Sequence, residues 1–317
     1  MSRQGARRGA DGRFLNPDGR PSGNSLGEVW RMLREGGGTP WPRLVRDAPE
    51  PPPAAPPPGH AAITFIGHAS FLIRIAGGPT LLTDPIWSER CSPFSFLGPR
   101  RARAPGLAQE ALPPIDAVLL SHNHYDHLDV PTLRRLKAPR IITGLNIAPI
   151  LARNSIPGAE ELDWWGETTI GDTTVTYLPA HHFSARGIRD RGRALWGGFA
   201  IRSPAGSILF AGDTAYGAHL AGIGEELGPF SIGLIPIGAY EPRWFMRSVH
   251  MNPEEAVQAR ADLRVRTAIA MHFGTFKLTQ EGIDEPPRAL AAACAEAGLA
   301  EGDFIVPRFG GTITLPL

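Results

Sequence analysis

From residue 61 the chain falls into short apolar runs separated by turn residues, the pattern of consecutive strands. Residues 63–66, 71–75 and 80–83 form the first three, broken by Gly67 and by Gly77-Gly78. Residues 115–120 read as a short buried strand, and 141–143, 173–178, 198–201 and 207–210 repeat the pattern. A further apolar run covers 268–271. Helical signals lie between the strands. Asn252 can cap a helix with Pro253 at its first position and Glu255 three residues after the cap, running through Ala256 and Val257 toward Leu263. A second helix is predicted over 287–297, closed by Gly298. Strands paired mostly as hairpins, with helices interleaved, predict an α+β architecture: sheets packed together with helices outside, not one parallel sheet.

Residues 1–59 break this pattern. They are rich in Gly, Pro and Arg and end in Pro51-Pro52-Pro53-Ala54-Ala55-Pro56-Pro57-Pro58-Gly59, which favours polyproline II and cannot build a core. A short helix is predicted over 26–34, carrying Trp30, Met32 and Leu33. The expectation is a partly mobile arm over 1–59, with Trp30 and Trp41 packing on the main domain or on a partner, followed by one domain over 60–317.

Composition narrows the function. With 317 residues, 42% hydrophobic and 20% charged, the chain can bury a sizeable core. A formal net charge of +1 argues against bulk capture of nucleic acid. Cys91 and Cys294 are the two cysteines, a set that fits isolated thiols in a reducing, cytoplasmic compartment. No run of eighteen apolar residues occurs, so no membrane-spanning helix is expected. The basic start, with Arg7-Arg8, lacks the apolar stretch of a secretory or twin-arginine signal.

The chemistry concentrates at 121–127, Ser-His-Asn-His-Tyr-Asp-His. His122, His124, Asp126 and His127 are imidazole and carboxylate ligands of the kind a borderline-soft divalent cation prefers. They follow a strand, on a loop tight enough that His122 and His124 can point one way while Asp126 and His127 point another. Two neighbouring metals suit that arrangement better than one. Three more strand ends deliver similar groups: His181-His182 after 173–178, Asp213 after Gly212, and His272 after the run at 268–271. Catalytic groups tend to collect on loops held by a rigid scaffold.

His-x-His-x-Asp-His followed by a distant His, Asp and His resembles the metallo-β-lactamase superfamily. Further stretches are similar to its N-acyl-phosphatidylethanolamine-hydrolysing phospholipase D branch: Gly67-His68-Ala69-Ser70, Leu82-Thr83-Asp84-Pro85-Ile86, the stretch from Ile235 to Met246, His250-Met251-Asn252-Pro253-Glu254-Glu255-Ala256 and His272-Phe273-Gly274-Thr275-Phe276. The resemblance covers about residues 60–310. It implies a four-layer αββα sandwich with a two-metal site at one sheet edge. It places His122, His124, His182 and Asp213 on one ion, and Asp126, His127, Asp213 and His272 on the other, with Asp213 bridging. The family pattern selects His182 over His181. Asp84 resembles a carboxylate that orients a ligand imidazole, or is a turn-former before Pro85.

The activity implied is metal-dependent cleavage of N-acyl-phosphatidylethanolamine to an N-acylethanolamine and phosphatidic acid. A water ionised between two cations would attack phosphorus, so no side-chain nucleophile is required. Zinc is the default metal, with iron or manganese as alternatives. Asp126 and His250 are the candidate catalytic residues. His250 would serve the leaving group, or else cap or pack at the following helix. Tyr240, Arg243 and Trp244 read as a pocket wall with Arg243 near a phosphate, or as ordinary core and rim. Tyr125 is expected to pack. Arg100, Arg101 and Arg103 read as solvated loop residues or as contacts to anionic headgroups at an inner membrane surface. A homodimer is implied by resemblance. The competing readings are a lactonase or small-phosphodiester hydrolase on the same metals, and a non-catalytic metal or lipid binder.

Overall fold

The computed structural model describes residues 3–48, 50, 54–136, 138 and 140–317; within the arm's helix, the side chains of Leu26 and Leu33 lie outside the described set, as does the run Pro51-Pro52-Pro53. The predicted arm helix is α1 (Leu26–Glu35). Ser25 and Glu28 form a capping box at its start, with reciprocal side-chain and backbone bonds.

Two seven-stranded sheets carry the domain. In the first, β1 (His60–Gly67), β2 (Ser70–Ile75) and β3 (Thr80–Thr83) run antiparallel. β4 (Ala117–Leu120), β5 (Ile141–Gly144) and β6 (Ala159–Leu162) then add in parallel. The second sheet starts with antiparallel β7 (Glu167–Ile170), β8 (Thr173–Pro179), β9 (Gly197–Ser203) and β10 (Gly206–Phe210). It continues in parallel with β11 (Phe230–Pro236), β12 (Val265–Met271) and β13 (Phe304–Ile305). The C-terminal β14 (Thr312–Pro316) returns to the first sheet beside β1. The fold is thus α+β, with hairpins and parallel steps in each sheet.

Strand alternation explains the layering. Phe71, Ile73, Leu81 and Leu119 join Tyr177, Phe199 and Ile201 in one buried cluster between the sheets. Their neighbours Leu72, Leu82, Val118 and Leu120 point the other way, into a second cluster with Leu133 of α2 (Val130–Leu136) and Leu151 of α3 (Ala148–Arg153). On the far side, α4 (Ala218–Leu227), α6 (Pro253–Asp262) and α7 (Glu285–Glu296) cover the second sheet through Leu220, Ala256 and Leu290. A one-turn helix, α5 (Arg243–Met246), precedes α6. Each large apolar side chain fully buried here contributes about 1.5–3 kcal/mol. The capping box at Asn252 and Glu255 is present as predicted. α7 begins two residues before its predicted start, because prolines suit a helix's first turn.

The arm differs from expectation. Phe14 is 1% exposed and belongs to the main core cluster. Its N–H donates to the Gly192 carbonyl at 2.8 Å, and the Ala6 N–H donates to Asp163. The Trp41 indole donates to the Glu281 carbonyl, so Trp41 does pack on the domain. Trp30 does not: it is 62% exposed, with the Arg34 guanidinium 5.0 Å from its ring centroid. A single aromatic among Gly, Pro and Arg gives no periodicity, which is why composition hid the arm's share of the core.

Candidate metal centre

Six strand ends meet at one edge of the paired sheets. His68 follows β1, Asp84 follows β3, 121–127 follows β4, His181 and His182 follow β8, Asp213 follows β10, and His272 follows β12. His68, Asp84 and His272 have φ of 58°, 33° and 60°, a left-handed backbone that non-glycine residues hold only when their surroundings demand it. Two glycines make the close approach feasible. A Cβ on Gly212 would lie 2.4 Å from the Gly197 carbonyl oxygen, and one on Gly238 would lie 2.1 Å from that of His272.

The side chains converge. His122 Nε2 lies 2.8 Å from His124 Nδ1, and His182 Nε2 lies 3.2 Å from the same atom. Asp213 Oδ2 sits 4.0 Å from His122 Nε2, 3.7 Å from His182 Nε2, and 3.1 Å from both His127 Nε2 and His272 Nε2. Asp126 Oδ2 lies 3.6 Å from His127 Nε2 and from His272 Nε2. Asp213 is therefore the residue common to both halves. Donors sharing one tetrahedral ion at about 2.1 Å stand about 3.4 Å apart, which these separations bracket. His127 Nε2, His272 Nε2 and Asp213 Oδ1 are buried yet have no hydrogen-bond partner among the described residues. Buried polar atoms are normally paired, so these orphans are atoms that a bound cation would satisfy. The donor set fits a divalent metal.

Ring orientation is set from behind. Asp84 Oδ2 is 2.7 Å from His127 Nδ1, and the same carboxylate accepts from the Ser121 amide at 2.7 Å and its hydroxyl at 2.5 Å. The Val249 carbonyl lies 2.8 Å from His182 Nδ1. Both contacts place the ring proton on Nδ1 and leave Nε2 as the inward lone pair.

Charge divides the cage. Burial, together with the neighbouring imidazoles, holds His124 down to about 3 and His182 down to about 4, and pushes His122 well below the usual histidine range. Burial also opposes the charged form of His272, but the Asp213 and Asp126 carboxylates outweigh it and raise this group to about 9. His127 is raised by the same competition. Asp126 and Asp213 resist burial through these histidines and stay well below the usual carboxylate range.

All seven predicted ligands are thus brought together. His182 enters the cage, while His181 faces Asp18 at 3.5 Å and stacks on His219. His250 Nε2 approaches Asp213 Oδ2 at 4.0 Å, and burial holds it well below the usual histidine range. A neutral imidazole can donate a hydrogen bond but is a poor resting acid, so the leaving-group role expected for it needs that restriction. Arg243 does not face the cage. Its guanidinium pairs with Glu255 and donates to the His250 carbonyl at 2.8 Å. Trp244 lies under the Arg31 guanidinium, and the Tyr240 hydroxyl is 3.4 Å from Glu285. Tyr125 packs against the Arg186 guanidinium. Arg100, Arg101 and Arg103 are bound to Glu89, to the Ser88 and Ile86 carbonyls, and to Asp47 respectively, rather than standing free.

His68 is the residue that sequence reasoning did not assign. Its Nε2 lies 2.9 Å from Asp126 Oδ2, within the donor group of Asp126, His127 and His272. The available signal was its place in Gly67-His68-Ala69-Ser70, where one histidine after an apolar strand reads as structural.

Comparison with known proteins assigns the class. A β-lactamase superfamily domain model matches residues 80–273, and the chain belongs to that family. A metallo hydrolase of the archaeon Ignicoccus hospitalis shares the fold, with a TM-score of 0.60 at 23% identity over 81% of this chain and 99% of that one. Within the family, the chain is 40% identical over 245 residues to N-acyl-phosphatidylethanolamine-hydrolyzing phospholipase D 1 of Caenorhabditis elegans, covering 70% of this chain and 67% of that one. It is 39% identical over 241 residues to an uncharacterized protein of Mycobacterium tuberculosis, covering 73% of this chain and 63% of that one. The chain thus spans just under two thirds of its mycobacterial relative's length. The fold is that of the metallo-β-lactamases, and the cage gathers His and Asp donors that could hold a metal ion. Among the described residues, no helix is long and apolar enough to cross a membrane.

Proposed function

We propose that the chain is a hydrolase of phospholipase D type that cleaves N-acyl-phosphatidylethanolamine on two divalent ions, zinc by default. One observation carries the reading: a cage of two halves sharing Asp213 adjoins a largely apolar recess through His250, which lines the recess and lies 4.0 Å from Asp213. His122, His124 and His182 with Asp213 would hold one ion, and Asp126, His127 and His272 with Asp213 the other. When bound, such a pair lowers the pKa of a shared water toward neutrality and offsets charge building on phosphorus.

The chain's own residues supply the rest. Asp84 and the Val249 carbonyl fix the tautomers of His127 and His182. His68 braces Asp126. His124, Tyr125 and Asp126 are the partly exposed members, so the cage opens to solvent there. The recess, about 390 Å³, is lined by Met32, Phe245, Met246, Leu278, Lys277 and His250 among others. Largely apolar walls suit an acyl chain, and Lys277, with Glu241 on the same lining, offers a cation for an anionic diester. His250, held neutral, is placed to donate a hydrogen bond beside Asp213. Peripheral contact with a lipid surface is supported by exposed Phe94, Phe96 and Leu97, three apolar side chains on one loop.

The test is turnover by purified, metal-loaded protein on three substrates: N-acyl-phosphatidylethanolamine, a lactone and a synthetic phosphodiester. The reading predicts cleavage of the lipid with release of phosphatidic acid. Turnover of the lactone alone contradicts it, and turnover of none favours a binder.

A further inference from the structure

The first part of the arm is wired into the metal cage. Asn16 is buried, and its Oδ1 accepts the His182 backbone N–H at 3.0 Å. The residue is held in a tight turn: its N–H donates to the Arg20 carbonyl at 2.9 Å, and its carbonyl accepts from Gly19 at 2.8 Å. Buried Phe14, two residues earlier, pins that turn to Gly192.

Eight residues on, the arm makes a second attachment. Asn24 Nδ2 donates to the Phe245 carbonyl at 2.8 Å, Asn24 Oδ1 accepts from the Ser248 hydroxyl at 2.9 Å, and the Asn24 carbonyl accepts from Arg191 at 2.6 Å. Phe245 and Ser248 belong to the turn that presents the Val249 carbonyl to His182 Nδ1 at 2.8 Å. His182 is therefore gripped at both ends by one closed circuit. Asn16 holds its backbone, Val249 holds its ring, and the arm ties Asn16 to the turn carrying Val249.

We propose that residues 14–24 are a strap that aims His182, with Asn16 and Asn24 as positioning residues. No other described side chain bonds the His182 N–H. Groups behind a metal ligand commonly set affinity by about 10–100-fold. The strap should therefore act on the ion held by His122, His124 and His182 and leave the other unaffected. The inference rests on the reading that the cage holds divalent ions.

The test is cobalt(II) binding to the full-length protein, followed by chelator competition and by the visible absorption of the bound ions. Asn16→Ala should weaken one of two cobalt ions by about tenfold and shift its absorption band, with the second ion unchanged. Asn16→Asp keeps the acceptor and should restore both. Asn24→Ala, on a half-exposed side chain, should perturb the same ion by a smaller factor, and it serves if Asn16→Ala does not fold. Wild-type affinities and spectra in Asn16→Ala, or in Asn24→Ala where that variant stands in, contradict the strap alone. Equal weakening of both ions, unrelieved by Asn16→Asp, shows a merely structural arm and also contradicts it. A wild-type protein that takes up no cobalt contradicts the metal reading itself, and the strap with it.

Discussion

The two halves of the cage are built from similar side chains but differ in protonation: one holds neutral imidazoles, the other protonated imidazoles against carboxylates. His122, His124 and His182 are neutral imidazoles pressed together, and burial strips their protons. His127 and His272 stand against Asp126 and Asp213, and there the carboxylates win over burial. Protonated imidazoles therefore sit in one half only, beside its two ionised carboxylates, and would have to lose a proton to bind a cation. One sheet edge thus brings together two clusters of donor groups that differ in pH response. Asp213 belongs to both, and everything distinguishing the halves is measured relative to it.

Removing the shared group should have the largest effect. Asp213→Asn takes an anionic ligand from both ions, and loss of several kcal/mol of charge stabilisation lowers turnover by about a thousandfold or more. Metal analysis of the purified variant should show both ions depleted while circular dichroism stays native-like. His182→Ala should separate the halves, removing one ion and costing about a hundredfold in turnover. His181→Ala, outside the cage, should change turnover by no more than about twofold. The reverse ranking would show that the wrong histidine was placed inward.

Asp84→Asn acts directly on the carboxylate-rich half, because Asp84 orients His127, and reaches His122 only indirectly, through the Ser121 hydroxyl. Metal titration should show about 10–100-fold weaker binding of one ion and little change in the other. The smallest effect is the pH response. With His272 raised to about 9, a proton occupies that ring at neutral pH and must leave before the metal binds. His127, raised by the same carboxylates, must lose a proton too, so apparent affinity of that half should climb with pH by about tenfold per unit for each proton displaced. The half with His124 at about 3 and His182 at about 4 has no such proton to lose, and its affinity should stay flat from pH 5 to 9. Calorimetric titration across that range checks both slopes.

Much of this was legible in the chain. The ligand cluster is contiguous, and the other ligands announce themselves by following apolar runs. Core strands such as β2 and β10 show in their β-branched and aromatic residues. The edge strands β6, β7 and β14 do not, because partly solvated strands such as Glu167–Ile170 lack an apolar signature. β11 was obscured by Gly233 in its middle. In sequence Arg243 reads either as a cation near a phosphate or as ordinary core and rim, and only the fold decides by showing Glu255 beside it. Asn16 and His68 act through backbone and carboxylate contacts that span 166 and 58 residues, which no local pattern encodes.

Anomalous scattering from crystals grown with zinc tests the central claim most directly. Two peaks about 3.5–4 Å apart, with the Asp213 carboxylate between them, are expected. A single peak, or peaks remote from Asp213, would contradict the claim.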